Sequence, residues 1–313
     1  MAKKEAAEEG VTLTPLYGGK VTVRFHEKGH QYWVEKNSGG FKRKGGVTGV
    51  IGIMDKSKPL GIWQQGMTLD FLLDAIAQGH KINEDKAIEA VIQHELFLEK
   101  AADIGHEIHG WCEAWIRHQL KQKGYESLPA IPDFPEAVTG VNGFLAWIEE
   151  HKVKFISTER VVYSAKHDYV GQLDFEAVID GDHCLGDFKS SNGLYPGVRM
   201  QTAAYVAADE EERGPKFKGY DGRYALRLSK YSEEEYMKRE RRKKDVKAAI
   251  ARFKGNEVSE YPIKPYQVFE AVFLDREEGF MERDMRAFTH CKALTEWQRA
   301  VDPFLNRELG GSL

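Results

Sequence analysis

The chain has 313 residues, 42% hydrophobic and 30% charged, which excludes a fibre or a disordered tail and allows a sizeable core. Its net charge of −4, from 45 Lys and Arg against 49 Asp and Glu, carries no overall sign of a nucleic-acid partner, so any such sign must be local. Three cysteines, Cys112, Cys184 and Cys291, lie far apart with no C-x-x-C spacing and support neither a disulfide framework nor a four-cysteine metal site.

No run approaches the roughly 18 apolar residues of a membrane span, and "MAKKEAAEEG" lacks a signal-peptide core. The expected location is the cytoplasm, that of a host cell if the protein is viral, with no membrane partner.

In chain order, residues 1–20 are expected to form a flexible tail and 21–153 a hairpin followed by a helical region. The segment "KVTVRFHEKGHQYWVEKNSGGFKRKGGVTGVIGIM" alternates β-branched and aromatic residues between Gly-rich turns, which predicts small strands. From 61 to about 122, apolar residues at helical spacing predict two or three helices, the last carrying His106, His109 and Glu113. "SLPAIPDFPEA" reads as a loop, followed by a helix over 138–152.

Residues 154–305 are expected to form the core region and 306–313 a short tail. The core opens with a strand over 154–164, a hairpin over 171–191 and a helix over 197–213. A strand over 221–230, a charged helix over 232–254, a strand over 266–275 and a helix over 279–301 follow. Helices around a central mixed β-sheet define the class α/β (α+β).

The hairpin "GQLDFEAVIDGDHCLGDFKSS" gathers ionisable groups. Alternation places Leu173, Phe175, Ala177 and Ile179 on one face, with Asp174 and Glu176 on the other. The same period puts Asp187 and Lys189 together and Phe188 opposite. A two-residue Asp180-Gly181 loop of type I′ pairs Ile179 with Asp182, and so Asp174 with Asp187; a loop at Gly181-Asp182 would set Asp174 against Lys189 instead. Two close carboxylates repel unless one is protonated or a cation joins them. A divalent metal held by both, with Lys189 beside it, is one reading; an ordinary solvated Asp187–Lys189 pair accounts for the hairpin alone equally well.

The order and spacing of "GQLD", "DFK" and the downstream "QTAAY" resemble the G-x-x-D, D-x-K and Q-x-x-x-Y signatures of the PD-(D/E)XK nuclease superfamily, RecB-like branch. "GHEIH" upstream resembles the Gly-x-x-x-His helix of that branch. "GVTGVIG" with "LGIW" is reminiscent of its phage and mitochondrial exonucleases.

The resemblance implies a restriction-endonuclease-like core and a Mg²⁺- or Mn²⁺-dependent deoxyribonuclease. It implies Asp174, Asp187, Lys189, Gln201 and Tyr205 as catalytic, and His109, Asp174, Asp187 and the Phe188 backbone carbonyl as metal ligands. Glu113, Glu159 and Glu176 are candidates for orienting groups around them. The branch's iron–sulfur members use four cysteines, so no such cluster is expected here. A zinc hydrolase would need H-E-x-x-H, one residue longer than "HEIH".

Residues 236–254 carry nine Lys and Arg against two acidic residues. Lys238, Arg239, Arg241, Arg242, Lys243 and Lys244 are candidate DNA-phosphate contacts, against the alternative of a solvated helix laced by ion pairs. "FKRKGG" at 41–46, Lys56 and Lys58 are further candidates, and Trp63, Trp111 and Trp115 are candidates for stacking on bases or for the core. The expected partner is DNA with free ends, in phage or mobile-element recombination or repair. A helicase, recombinase or single-strand annealing protein would be a separate chain, because no nucleotide-binding G-x-x-x-x-G-K-[ST] loop is present. A restriction-type endonuclease and a non-catalytic DNA-binding or assembly protein are the alternatives.

Overall fold

The structure, a computed structural model, describes residues 10–37, 39–258, 260–275 and 278–308, and leaves out the side chains of 58, 59 and 303–308. Four short strands, β1 (Val11–Leu16), β2 (Val21–His26), β3 (Gln31–Lys36) and β4 (Lys42–Gly46), form an antiparallel meander. The tail expected over 1–20 is corrected from Val11 onward: β1 pairs with β2 along its length because Leu16 is buried against Val21 and Val23. Residues 1–9 lie outside the described residues.

A short α1 (Val47–Ile51) leads to α2 (Ser57–Ala77) and then to α3 (Glu84–Gln119), a single helix of 36 residues. At 1.5 Å per residue α3 is about 54 Å long. The Asn83 side chain accepts the Lys86 N–H at its start, where Glu84 and Asp85 complement the helix dipole. In its second half, Ile104, Ile108, Cys112 and Ile116 recur every four residues and form a buried stripe facing the sheet. Helix α4 (Pro135–Glu150) starts on a proline, whose missing N–H costs nothing at that position.

The remaining elements are β5 (Lys154–Ser164), β6 (Tyr169–Ile179), β7 (Asp182–Lys189), α5 (Gly197–Arg213), β8 (Gly222–Leu228), α6 (Glu233–Phe253), β9 (Phe269–Phe273) and α7 (Phe280–Glu308). Residues 306–308, expected in a tail, are therefore helical, and 309–313 lie outside the described residues. The class is mixed α/β: one nine-stranded sheet ordered β1-β2-β3-β4-β6-β7-β8-β9, with β5 also pairing β6. It is mixed because β4–β6 and β7–β8 run parallel and the other pairs antiparallel. Helices α3 and α4 cover one face around Phe144, Trp147 and Phe175; α1, α5 and α7 cover the other around Leu173, Leu185 and Phe288. Among the described residues no helix is long and apolar enough to cross a membrane.

The pairing of β6 creates a fork. Strand β5 runs along one edge of β6 from Ser164↔Tyr169 to Lys154↔Val178. The other edge is shared: β4 pairs at Tyr169 and Val170, and β7 pairs from Phe175 to Ile179. Residues 171–174 lie between these two ladders, at the point where β7 diverges.

Candidate active site

The hairpin turn has the expected register. Ile179 pairs with Asp182, and Asp180 (φ 53°) and Gly181 (φ 110°) take the left-handed conformations that a type I′ loop requires. Asp180 serves the turn: its carboxylate meets His151 Nδ1 at 2.6 Å and accepts the Lys152 N–H at 3.1 Å. The ladder ends at Phe175↔Gly186, and continued by one residue it sets Asp174 against Asp187.

The alternation expected over 173–179 breaks at Asp174. Leu173 packs with the α5 and α7 cluster, whereas Phe175, Ala177 and Ile179 pack with α3 and α4. Opposite, Glu159 of β5 has φ 53°, unusual for a non-glycine in a strand, so both strands are distorted at the fork. The Asp174 side chain fills the missing ladder position, with Oδ2 accepting the Phe188 N–H at 2.6 Å.

Asp174, Asp187, Lys189 and His109 converge there. The Lys189 ammonium pairs with Asp187 and reaches the Phe188 carbonyl at 3.3 Å. His109 Nδ1 lies 3.8 Å from Asp174 Oδ2, its ring edge-on to Phe188. Gly105 lets α3 come this close: a Cβ on it would stand 2.8 Å from Ser190 Oγ. His106, one turn from His109, is exposed.

From α5, Gln201 Nε2 donates to Asp187 Oδ1 at 2.9 Å and to the Tyr205 hydroxyl at 3.0 Å. Tyr205 is buried, and its ring occupies the space a Cβ on Gly171 would need. Q-x-x-x-Y is thus a brace behind Asp187: Gln201 touches the carboxylate, and Tyr205 holds Gln201.

The electrostatics follow from crowding acids at the base of a cleft. Burial raises the Asp187 carboxyl to about 6, against the pull of Lys189. Burial raises Asp174 as well, with Glu113 adding to it. Glu159 is raised by burial and by Asp174 and Glu113, while Gln172 Nε2 donates to it at 2.6 Å. Burial opposes the Lys189 ammonium, but Asp187 and Asp174 outweigh burial and its pKa is raised. Burial and then Lys189 push His109 down to about 4, so its imidazole is neutral at pH 7 although about a third of its side-chain surface remains accessible.

This donor set fits a hard divalent cation. Asp174, Asp187 and the Phe188 carbonyl supply oxygens, and His109 supplies a neutral nitrogen. Among the described residues, the four acids Asp174, Asp187, Glu113 and Glu159 meet the cations Lys189 and Arg117, the latter paired with Glu113, and Asp187 stays raised even with an ammonium on it. Among the described residues no three His, Cys, Asp or Glu side chains already converge at ligand spacing. In this arrangement Lys189 spans two of the expected ligands.

Other expectations need correction. Glu176 is not beside the site: it is buried among Ser157, His183 and Arg213, which donate to or pair with it at 2.5–2.9 Å, and these partners pull its pKa down against burial. On α6, Arg242 pairs with Asp70 and Asp74 of α2, Arg239 lies over the rings of Phe97 and Tyr231, and Lys243 pairs with Glu240. Lys238, Arg241 and Lys244 are exposed. Trp63 packs on Phe97, and Trp111 and Trp115 on Phe144, in line with the packing alternative given for these rings. Lys56 is exposed before α2; the Lys58 side chain lies outside the described residues.

Sequence reasoning missed Gln172, which holds Glu159, and Ser190, which meets Gly105. Gln172 lies inside the GQLD motif, where its polarity in a buried strand is a legible signal. No family model matches this chain, and no curated protein matches it at significant similarity.

Proposed function

We propose that this chain is a divalent-metal-dependent deoxyribonuclease of the RecB-like PD-(D/E)XK type, acting on DNA ends. The observation that carries this reading is the meeting of Asp174, Asp187 and Lys189 at the fork, with Gln201 on Asp187 and a neutral His109 alongside. An ordinary surface ion pair needs no second buried carboxylate, and a pure DNA-binding module gains nothing from acids facing a polyanion.

Asp174, Asp187, the Phe188 carbonyl and His109 would hold Mg²⁺ or Mn²⁺, which supplies Lewis-acid stabilisation of charge developing on the phosphate. The Phe188 N–H fixes the Asp174 carboxylate, and Gln201 fixes that of Asp187, so both are oriented before substrate arrives. Lys189 stays charged at neutral pH and places a cation where the scissile phosphate gathers negative charge. Hydrolysis joins the oxygen of water to phosphorus, breaks one phosphorus–oxygen bond and leaves a protonated sugar hydroxyl.

The test incubates the purified chain with end-labelled linear DNA and with covalently closed circles, with Mg²⁺, Mn²⁺ or chelator. Metal-dependent shortening of linear DNA, lost in Lys189→Ala, is expected. Equal degradation by Lys189→Ala, or activity unchanged by chelator, refutes the mechanism; cutting of closed circles makes the enzyme an endonuclease.

A further inference from the structure

The N-terminal meander is a basic body on an acidic chain. Residues 20–46 carry seven Lys and Arg against two acidic residues, a net of +5, whereas the whole chain is −4. Helix α6 has more cations, but half of its six candidate phosphate contacts are engaged within the protein.

The strand register concentrates part of this charge. Val34 pairs with Lys42 and Tyr32 with Lys44, so both lysines stand on the face of the meander that buries Tyr32 and Val34. At the rim, Lys36, Lys42 and Lys44 line a cavity of about 220 Å³ with Val34, Gly39 and Asp168. Asp168, just before β6 and partly exposed, already has partners: it accepts the Tyr163 hydroxyl at 2.5 Å and pairs with Lys44 at 2.6 Å, with Lys36 at 3.9 Å. Lys44, the least accessible of the three, is thereby fixed, and the exposed Lys36 and Lys42 leave the cavity with a net charge of +2.

We propose that this cavity, formed by Lys36, Lys42 and Lys44 around Asp168, seats a backbone phosphate of the polynucleotide. This rests on the nuclease reading. It adds a second, sequence-independent grip on β4, the strand that pairs with the start of β6. Asp168 lies six residues before Asp174. At ~3.3 Å per residue the two are about 20 Å apart, roughly six base-pair steps of ~3.4 Å. A strand held at both points is fixed in register on the active site.

Fluorescence polarisation with a labelled 20-base-pair duplex, in chelator so that nothing is cut, tests this. Lys36→Glu/Lys42→Glu is compared with Lys20→Glu/Lys28→Glu, an equal charge change at exposed positions of the same meander outside the cavity; thermal melts confirm that both fold. The cavity variant is expected to bind at least about tenfold more weakly and to lower the slope of log affinity against log salt by about 2, and the control to change binding less than about threefold.

Equal losses in the two variants, or no loss in either, overturn the proposal. So does a free-anion site: inorganic phosphate raising the melting temperature of wild type but not of the cavity variant, while both bind duplex alike. The two readings fail separately. Wild type that binds through the cavity but never cuts with Mg²⁺ or Mn²⁺ removes the nuclease assignment alone. Cleavage lost in Lys189→Ala, with cavity-variant binding intact, removes the cavity assignment alone.

Discussion

Gln201 holds Asp187 through a 2.9 Å hydrogen bond from a helix that begins eight residues beyond the end of β7. Gln201→Ala removes this donor from Oδ1 and leaves the carboxylate held on one side only, by Lys189. Such supporting contacts are worth roughly 10–100-fold in activity or metal affinity. Steady-state cleavage should fall in that range with the fold intact by circular dichroism, and higher metal concentration should restore part of the loss.

Gly171 makes a different kind of support. A Cβ there would stand 2.5 Å from Cε1 of Tyr205 and 3.1 Å from Cγ2 of Val47, so Gly171→Ala overpacks the fork. The expected cost is about 1–3 kcal/mol in urea unfolding. Gly171→Ala/Tyr205→Ala should regain stability relative to the sum of the two single variants but not activity. Additive losses would show that the ring is not what the methyl meets.

Asp187 links the site to stability with a definite sign. Its folded pKa of about 6 lies above the ordinary value of 3.8, so between these the native state binds more protons than the unfolded state, and stability falls as pH rises. The elevation is worth about 3 kcal/mol, absent below pH 4 and fully expressed above pH 6. In chelator, wild type should therefore lose stability as pH rises from about 4 to above 6, and Asp187→Asn should lose less over the same range. The same variant should be inactive. Divalent metal should raise the melting temperature of wild type and leave that of the variant unchanged.

Arg223 carries the opposite risk. It is buried in β8, and its guanidinium donates to Asp275, with one bond of 2.8 Å, and to Asp284 of α7 at 2.7 Å. Arg223→Met strips Asp275 of its cation and leaves Asp284 to Arg199, and breaking a buried pair from one side costs about 3–5 kcal/mol. Chemical denaturation should report a loss of this size.

Helix α6 separates packing cations from free ones. Arg242→Ala severs the link to Asp70 and Asp74 of α2 and should lower the melting temperature while leaving the salt dependence of DNA binding unchanged. Lys238→Ala/Arg241→Ala/Lys244→Ala should do the reverse if α6 meets DNA, reducing the salt slope by up to 3. A triple variant with unchanged binding would leave α6 a structural helix.

The period of two and the Asp180-Gly181 loop were enough to bring Asp187 and Lys189 to one face and to oppose Asp174 with Asp187, and helical spacing alone placed Gln201 with Tyr205. These are relationships between residues a few positions apart, governed by backbone geometry and turn conformation. Charge counts were less informative on α6, since a run of basic residues reads the same whether acids from a distant helix answer it or not.

The sequence by itself therefore determined the mixed α/β class and the placing of Asp187 and Lys189 on one face of a hairpin, and it left two loop registers open. Only the tertiary structure decided that β4 and β7 share one edge of β6, that the chain changes face at Asp174, and that Glu176 turns away to Arg213. Only it decided that Lys36 and Lys42 border a cavity closed by Asp168. Each of these depends on partners tens to more than a hundred residues away, brought together by burial of a shared core, and no local periodicity encodes which of them will meet.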